Sequence, residues 1–285
     1  MKIKPGFYPD MSMEDYHAHK ASYSRSDLIE IAKTPAHLHY KKTTPEEKKQ
    51  DKFELGTATH SAILEGLGAY IERAAIVPED VLGKNGARST NAYKQWAADN
   101  ANKTILLKSQ VEQVRGAYEA AMRRRQFKKY LTGGKAEVSA FWHMAYGGHK
   151  VLFKCRPDYL PGHNVVTDLK TTSILLDDWP RYAANSKAHW SAYLTCKGLT
   201  ELTGIQHTEY LFAVIEINPP FDARIFRTPP EYLELAQYEL EDLIPELIMC
   251  DASDTWPGSK DELIPLEYPY WALKNLPETS LAADY

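Results

Sequence analysis

The run Val165-Val166-Thr167-Asp168-Leu169-Lys170 limits what this chain can fold into more than any other segment. Three consecutive β-branched residues favour an extended strand, on which side chains alternate between faces. Val166, Asp168 and Lys170 then share one face, and Val165, Thr167 and Leu169 the other. Burying a carboxylate and an ammonium beside valines costs several kcal/mol unless the charges are paired or hold an ion. Two readings follow: a salt bridge at a sheet margin, or a metal-binding carboxylate with a lysine that orients or deprotonates an attacking water. Upstream, Cys155-Arg156-Pro157-Asp158 reads as part of a neighbouring strand, joined through a Pro161-Gly162 turn. An approximate hairpin register brings Asp158 close to Thr167 and Asp168. That second carboxylate favours the metal reading, because Mg²⁺ takes hard oxygen donors and often only one or two protein carboxylates beside phosphate and water.

Around this pair the pattern predicts an α/β (α+β) fold with a mixed central sheet flanked by helices. A helix is expected from Tyr23 to about Ala32 with Ser24 or Ser26 as N-cap, and a second from Thr34-Pro35 to Tyr40. Lys41 to Lys52 reads as a charged loop, Glu54 to Gly66 as a helix closed by Gly68, and Ile71 to Val77 as a strand. Helices are expected near 90–100 and 109–130. Strands are expected over Glu137–Tyr146 and Lys150–Leu160, about a Gly147-Gly148 hairpin turn, and over Asn164–Thr171. Helical patterns return near 177–185 and 186–201. A strand pair follows at Thr208–Ile217 and Ala223–Arg227, then one long helix from Pro230 to Met249. No repeat or low-complexity linker divides the chain. It reads as one domain over 1–285: a helical part to about 135, a sheet core over 136–230, and a C-terminal helix and tail over 231–285.

Composition excludes several classes. With 285 residues, 44% of them hydrophobic and 25% charged, the chain is long enough to bury a core. No apolar run reaches the ~18 residues that span a bilayer, and Met1–Gly6 lacks the apolar stretch of a signal peptide, so no membrane association and a cytoplasmic location are expected. Cys155, Cys196 and Cys250 stand far apart, which argues against a disulfide framework, a structural zinc or an iron–sulfur cluster. There is no phosphate-binding Gly-x-x-x-x-Gly-Lys loop, no Gly-x-Ser-x-Gly elbow and no His-Glu-x-x-His helix. A net charge of −4 neither drives nor forbids nucleic-acid binding. The densest basic stripe, Arg123-Arg124-Arg125 with Lys128-Lys129, reads as a solvated helix end or as part of a nucleic-acid surface.

Other residues stay open between structural and functional roles. His60, among small neighbours at Gly56 and Thr57, is either a satisfied helix histidine or a third metal ligand. His189 and Tyr193 share a helix face four residues apart, as core aromatics or as groups that reach a phosphate or water. Ser24 and Ser26 serve as helix caps or touch a DNA phosphate. Arg25 and Arg156 suit bidentate phosphate contact or a structural ion pair.

Taken in order, these residues resemble the PD-(D/E)XK nuclease superfamily, which also includes RecB-like and lambda-type exonucleases. The likeness is carried by Leu55-Gly56-Thr57-x-x-His60-x-x-x-Leu64-Glu65, by Cys155-Arg156-Pro157-Asp158, by Asp168-Leu169-Lys170-Thr171-Thr172 and by a helix ending in Tyr193. Within the superfamily the chain is most similar to the RecE (exodeoxyribonuclease VIII) type. Gly6-Phe7-Tyr8, Glu14-Asp15-Tyr16-His17, Ser24-x-Ser26-x-Leu28, Thr34-Pro35-Ala36, Trp256-Pro257 and Pro269-x-Trp271-Ala272 extend the resemblance over nearly the whole chain. It implies a Mg²⁺-dependent enzyme, with Mn²⁺ able to substitute, that digests one strand of double-stranded DNA from its 5′ end. The product is a 3′ overhang for a RecT-type single-strand annealing protein in phage or bacterial recombination. It also implies a homo-oligomeric ring, trimer or tetramer. Carried over residue by residue, His60, Asp158, Asp168 and the Leu169 carbonyl bind metal, Lys170 positions the water, and Tyr193 is the tyrosine of a Gln-x-x-x-Tyr helix. His189 stands where that motif has glutamine, which leaves its role open. An endonuclease or single-strand nuclease of the same fold, and a DNA-binding module without catalysis, are the competing expectations.

Overall fold

The computed structural model describes residues 3–44, 51–162, 164–267 and 269. Trp271 and Ala272 of the closing motif lie outside them. Among the described residues the strands are β1 (Gly6–Tyr8), β2 (Ser22–Tyr23), β3 (Ala74–Ile76), β4 (Thr104–Leu106), β5 (Lys135–Ala136), β6 (Ser139–Tyr146), β7 (His149–Cys155), β8 (Tyr159–Gly162), β9 (Val165–Thr172), β10 (Glu209–Glu216) and β11 (Ala223–Arg227). The first helices are α1 (Met13–Ala18), α2 (Arg25–Ile31), α3 (Pro35–Thr43), α4 (Asp51–Leu64), α5 (Leu67–Arg73) and α6 (Asn91–Asp99). The others are α7 (Lys108–Arg123), α8 (Arg125–Leu131), α9 (Trp179–Asn185), α10 (Ala188–Thr203), α11 (Pro230–Leu240) and α12 (Leu243–Ser253).

The strands form two main sheets rather than the one central sheet expected, in the orders β1-β6-β7-β2 and β11-β10-β9-β8-β5, beside a small β3-β4 pair. The division falls where one continuous strand was expected. The chain leaves the first sheet at Cys155 and joins the second at Tyr159, with Arg156 and Pro157 between them. Proline has no N–H for a ladder, so Pro157 breaks the pairing there. Asp158 lies in this link between the two sheets.

β9 and β10 run parallel, with Asp168 opposite Phe212 and Lys170 opposite Val214, and α9 and α10 make the crossover between them. One face of the second sheet packs Leu169, Ala213 and Ile215 against Ile63 of α4, Ala117 of α7 and Phe127 of α8. The other face packs Val166, Phe212 and Val214 against Trp179 of α9 and Ala192 and Cys196 of α10. The first sheet buries Trp142 and Phe153 against Leu28 of α2, Trp190 and Leu194 of α10, and Leu247 of α12. Each such side chain contributes about 1.5–3 kcal/mol relative to exposure. Helix α10 can lie on both sheets because Gly198 has no Cβ; one there would come within 2.6 Å of the Trp142 ring.

Several boundaries differ from expectation for local reasons. Ile71–Val77 is not a single strand: α5 continues to Arg73, and only Ala74–Ile76 is extended. Helix α4 ends at Leu64, where Gly66 takes φ 97°, so Gly66 rather than Gly68 makes the turn. Lys41 to Thr43 continue α3 instead of opening a loop. The long helix expected to Met249 is two, because Pro245 lacks the N–H that would bond the Glu241 carbonyl. The basic stripe is likewise divided at Arg124, whose guanidinium pairs with Asp222.

Candidate active site

Asp168 and Lys170 come from the middle of β9, on the face predicted by strand alternation. Lys170 Nζ lies 2.5 Å from Asp168 Oδ2 and 3.8 Å from Asp158 Oδ2, so one ammonium bridges both carboxylates. The Leu169 N–H donates to Asp158 Oδ2 at 2.7 Å, which fixes that carboxylate against the strand. The expected register is close: Tyr159 pairs with Thr167, one residue beyond Asp158. His60 reaches the same place from α4, its Nδ1 3.9 Å from Asp158 Oδ1 and its ring hydrogen-bonded to the Leu169 backbone. Helix α4 approaches β9 at Gly56, where a Cβ would sit 3.6 Å from Thr171 Oγ1.

Burial sets the protonation of the group. It pushes Asp168 up to about 6, opposed by the Lys170 charge and reinforced by that of Asp158. Asp158 is raised by the same burial against the pull of Lys170. Lys170 is pulled down by burial, but the two carboxylates outweigh this and hold it above its ordinary value. Burial, then the Lys170 charge, lowers His60 to about 4, so at neutral pH its imidazole is uncharged and free to act as a ligand. A lysine held charged can donate to and orient a water, but is a poor base for deprotonating one.

The donor set fits a divalent cation. Asp168 Oδ2 is buried, with the Lys170 ammonium against it at 2.5 Å. Two carboxylates, a neutral imidazole and the Leu169 carbonyl, 3.5 Å from Lys170 Nζ, offer the oxygen and nitrogen atoms that Mg²⁺ or Mn²⁺ accept. Among the described residues no three acidic, histidine or cysteine side chains close into a cage. Lys170 supplies the cationic charge between the carboxylates instead.

A cavity of about 530 Å³ opens beside these groups, lined by His60, Asp158, Thr171 and also Glu137. Glu137 was not singled out by the sequence reading. Its φ is +48°, its N–H donates to the Asp158 carbonyl at 3.0 Å, and its carboxylate pairs with Arg156 at 3.1 Å. The available signal was a carboxylate at the head of a strand one hairpin away from Arg156. Arg156 is further engaged by the Met11 carbonyl and Ser139 Oγ, at 2.8 and 2.6 Å, so its contacts are those of a structural ion pair.

Arg25, the first residue of α2, is within electrostatic reach of Asp168 and Lys170. Its Nε is buried with no hydrogen-bond partner among the described residues, and burial lowers its pKa against the pull of Asp168. Ser24 and Ser26 do not face that site in the same way. Ser24 Oγ and N–H both donate to Asp27, capping α2, and Ser26 Oγ accepts from Lys41 at 3.0 Å. His189 and Tyr193 are not among the residues lining the His60–Asp158 cavity. His189 bonds Glu239 at 2.7 Å, and Tyr193 packs against the Trp142–Leu28 core with its pKa raised by burial.

Asp158 in the link between two helix-covered sheets, with Asp168 and Lys170 on β9, is the arrangement of a PD-(D/E)XK-like fold. The family of PDDEXK-like domains of unknown function (DUF3799) matches residues 24–263, and the chain belongs to that family. The fold is similar to that of a "putative exonuclease" from Eubacterium rectale, with a TM-score of 0.61 at 16% identity, covering 93% of this chain and 98% of that one. An alkaline exonuclease from Laribacter hongkongensis aligns at 14% identity over 72% of this chain and 99% of its own, with a TM-score of 0.26. No curated protein matches the sequence. No helix among the described residues is long and apolar enough to cross a membrane.

Proposed function

We propose that this chain is a Mg²⁺-dependent exodeoxyribonuclease that digests one strand of duplex DNA from its 5′ end and leaves a 3′ single-stranded overhang. The observation that carries this reading is the convergence of His60, Asp158, Asp168 and Lys170, with the Arg25 guanidinium in electrostatic reach. Asp158, Asp168 and the Leu169 carbonyl would hold Mg²⁺, with His60 beside them. The ion supplies charge compensation at the phosphate and a lowered pKa for bound water. Lys170, kept cationic by its two carboxylates, orients the attacking water by hydrogen bonding and adds positive charge near the developing phosphorane. Arg25 holds a non-bridging phosphate oxygen at the strand end through its planar guanidinium. The overhang would be handed to a single-strand annealing protein of the RecT type, and several copies in a ring about the DNA would keep digestion processive.

The test is digestion of a linear duplex labelled separately at its 5′ and 3′ ends, beside a covalently closed circle, in Mg²⁺ and in EDTA. Metal-dependent loss of the strand from its 5′ end, with the circle intact, is expected. Cutting of the circle would replace the reading with an endonuclease, and loss from the 3′ end would reverse the polarity. A chain that binds DNA ends without cleaving them would be a binding module.

A further inference from the structure

The chain crosses between the two main sheets at two neighbouring links. It leaves the second sheet after β5 and enters the first at β6, then returns from β7 to β8 through Arg156, Pro157 and Asp158. Neither link has register partners in a ladder, so strand pairing alone does not fix where Asp158 stands. Glu137, in the first link, holds the second at two points. Its N–H donates to the Asp158 carbonyl at 3.0 Å, and its carboxylate accepts from Arg156 Nη2 at 3.1 Å. Arg156 Nη1 also donates to the Met11 carbonyl and to Ser139 Oγ, and its side chain is only 10% exposed. The Glu137 backbone has φ +48°, a left-handed conformation that glycine adopts freely and glutamate does not. Such a residue persists where its surroundings over-determine it, and strain of this kind gathers at functional sites.

We propose that Glu137 is a positioning residue for the cation site: through Arg156 and the Asp158 carbonyl it sets the Asp158 carboxylate for metal binding. The inference rests on the metal-dependent reading above. The two oxygens of Asp158 face different groups. Oδ2 accepts the Leu169 N–H at 2.7 Å, while Oδ1 lies 3.9 Å from His60 Nδ1. That division depends on where the Asp158 backbone sits, and Pro157 has no N–H with which to tie the link to a strand. The clamp from Glu137 supplies the missing restraint. Arg156 occupies the Glu137 carboxylate, so Glu137 acts through Asp158 and not on the ion itself. Partners that orient a metal ligand control affinity strongly, because a ligand that must first be ordered binds more weakly.

The test is the Kd of the full chain for Mn²⁺, read from the EPR signal of the free aqua ion, beside the urea midpoint in EDTA. Neither readout depends on cleavage. Glu137→Gln removes the charge, and Glu137→Gly removes the side chain while suiting the left-handed backbone; both keep the N–H to Asp158. Each should weaken Mn²⁺ binding about tenfold, the lower end of what loss of an orienting partner does. Arg156→Gln should weaken it by a similar factor, and the Glu137→Gln, Arg156→Gln double variant should be no worse than either single one. Ser139→Ala, which loosens Arg156 without touching either charge, should act in the same direction by a smaller factor. Wild-type Mn²⁺ affinity in both Glu137 variants, with only the urea midpoint lowered, would reduce the clamp to a structural ion pair and overturn the proposal. Losses that multiply in the double variant would also overturn it. Tighter binding in Arg156→Gln would do the same, because the freed carboxylate would then be a direct ligand. If the wild type itself binds no Mn²⁺, the metal-dependent reading falls and this inference with it; equal binding by wild type and variants removes only the inference.

Discussion

The backbone N–H of Leu169 donates to Asp158 Oδ2 at 2.7 Å, so the strand that carries one acidic residue also fixes the other. Asp168 is buried and Asp158 partly buried, and each faces the same ammonium. This places two like charges together in a low-dielectric site, an arrangement that favours binding a cation over folding stability.

Replacing either carboxylate by its amide separates those effects. Asp158→Asn and Asp168→Asn should each lower the rate of duplex digestion by at least about a hundredfold, as loss of one charge-stabilising group does in other enzymes. Neither should lower the urea midpoint, because an unfavourable buried charge has been removed. Wild-type rates from either variant in Mg²⁺ would show that the site has been misassigned.

Lys170→Gln should act on stability and do so conditionally. Removing the ammonium leaves two carboxylates facing each other. Breaking a fully buried pair costs about 3–5 kcal/mol, but the Lys170 side chain is 41% exposed, so solvent screening reduces the loss to about 1–2 kcal/mol. Millimolar Mg²⁺ should restore the urea midpoint measured in EDTA. A deficit that stays the same with and without the ion would argue that the carboxylates do not share a cation.

Gly198→Ala tests the seating of α10. A methyl group there meets the Trp142 ring at 2.6 Å, and overpacking of this kind costs about 1–3 kcal/mol. Thermal unfolding should shift downwards, and a midpoint equal to that of the wild type would mean that helix and strand are not in this close contact.

Glu239 provides the pH dependence. Burial would raise its pKa, but hydrogen bonds from Lys187, His189 and Trp190 outweigh it and hold the carboxyl down to about 2. A depressed folded-state value means stability that is present above the unfolded value of 4.5 and lost as pH falls from there towards about 2. Allowing for screening at this partly exposed group, Glu239→Gln should cost about 1 kcal/mol at pH 7. The gap between variant and wild type in urea midpoints should narrow below pH 4.5, and a gap independent of pH would remove the carboxylate from the account.

The facing of β9 was legible from residue types alone, because strand geometry forces Val166, Asp168 and Lys170 onto one side whatever surrounds them. The same holds for the Gly147-Gly148 turn and for Ser24 at the start of α2, where short-range backbone demands decide the residue. The ordered motifs from Leu55 to Tyr193 likewise gave the superfamily that the family match bears out. Only the tertiary structure decided that two sheets part at Arg156-Pro157, since a strand break and a sheet exchange look alike in a linear pattern. It alone brought Glu137 beside His60 and Asp158, engaged Arg156 with Glu137 and Ser139, and set Arg25 within electrostatic reach of Asp168. Those contacts join residues far apart in the chain, and their chemistry depends on burial. Periodicity and spacing carry the local half of that information, and packing carries the rest.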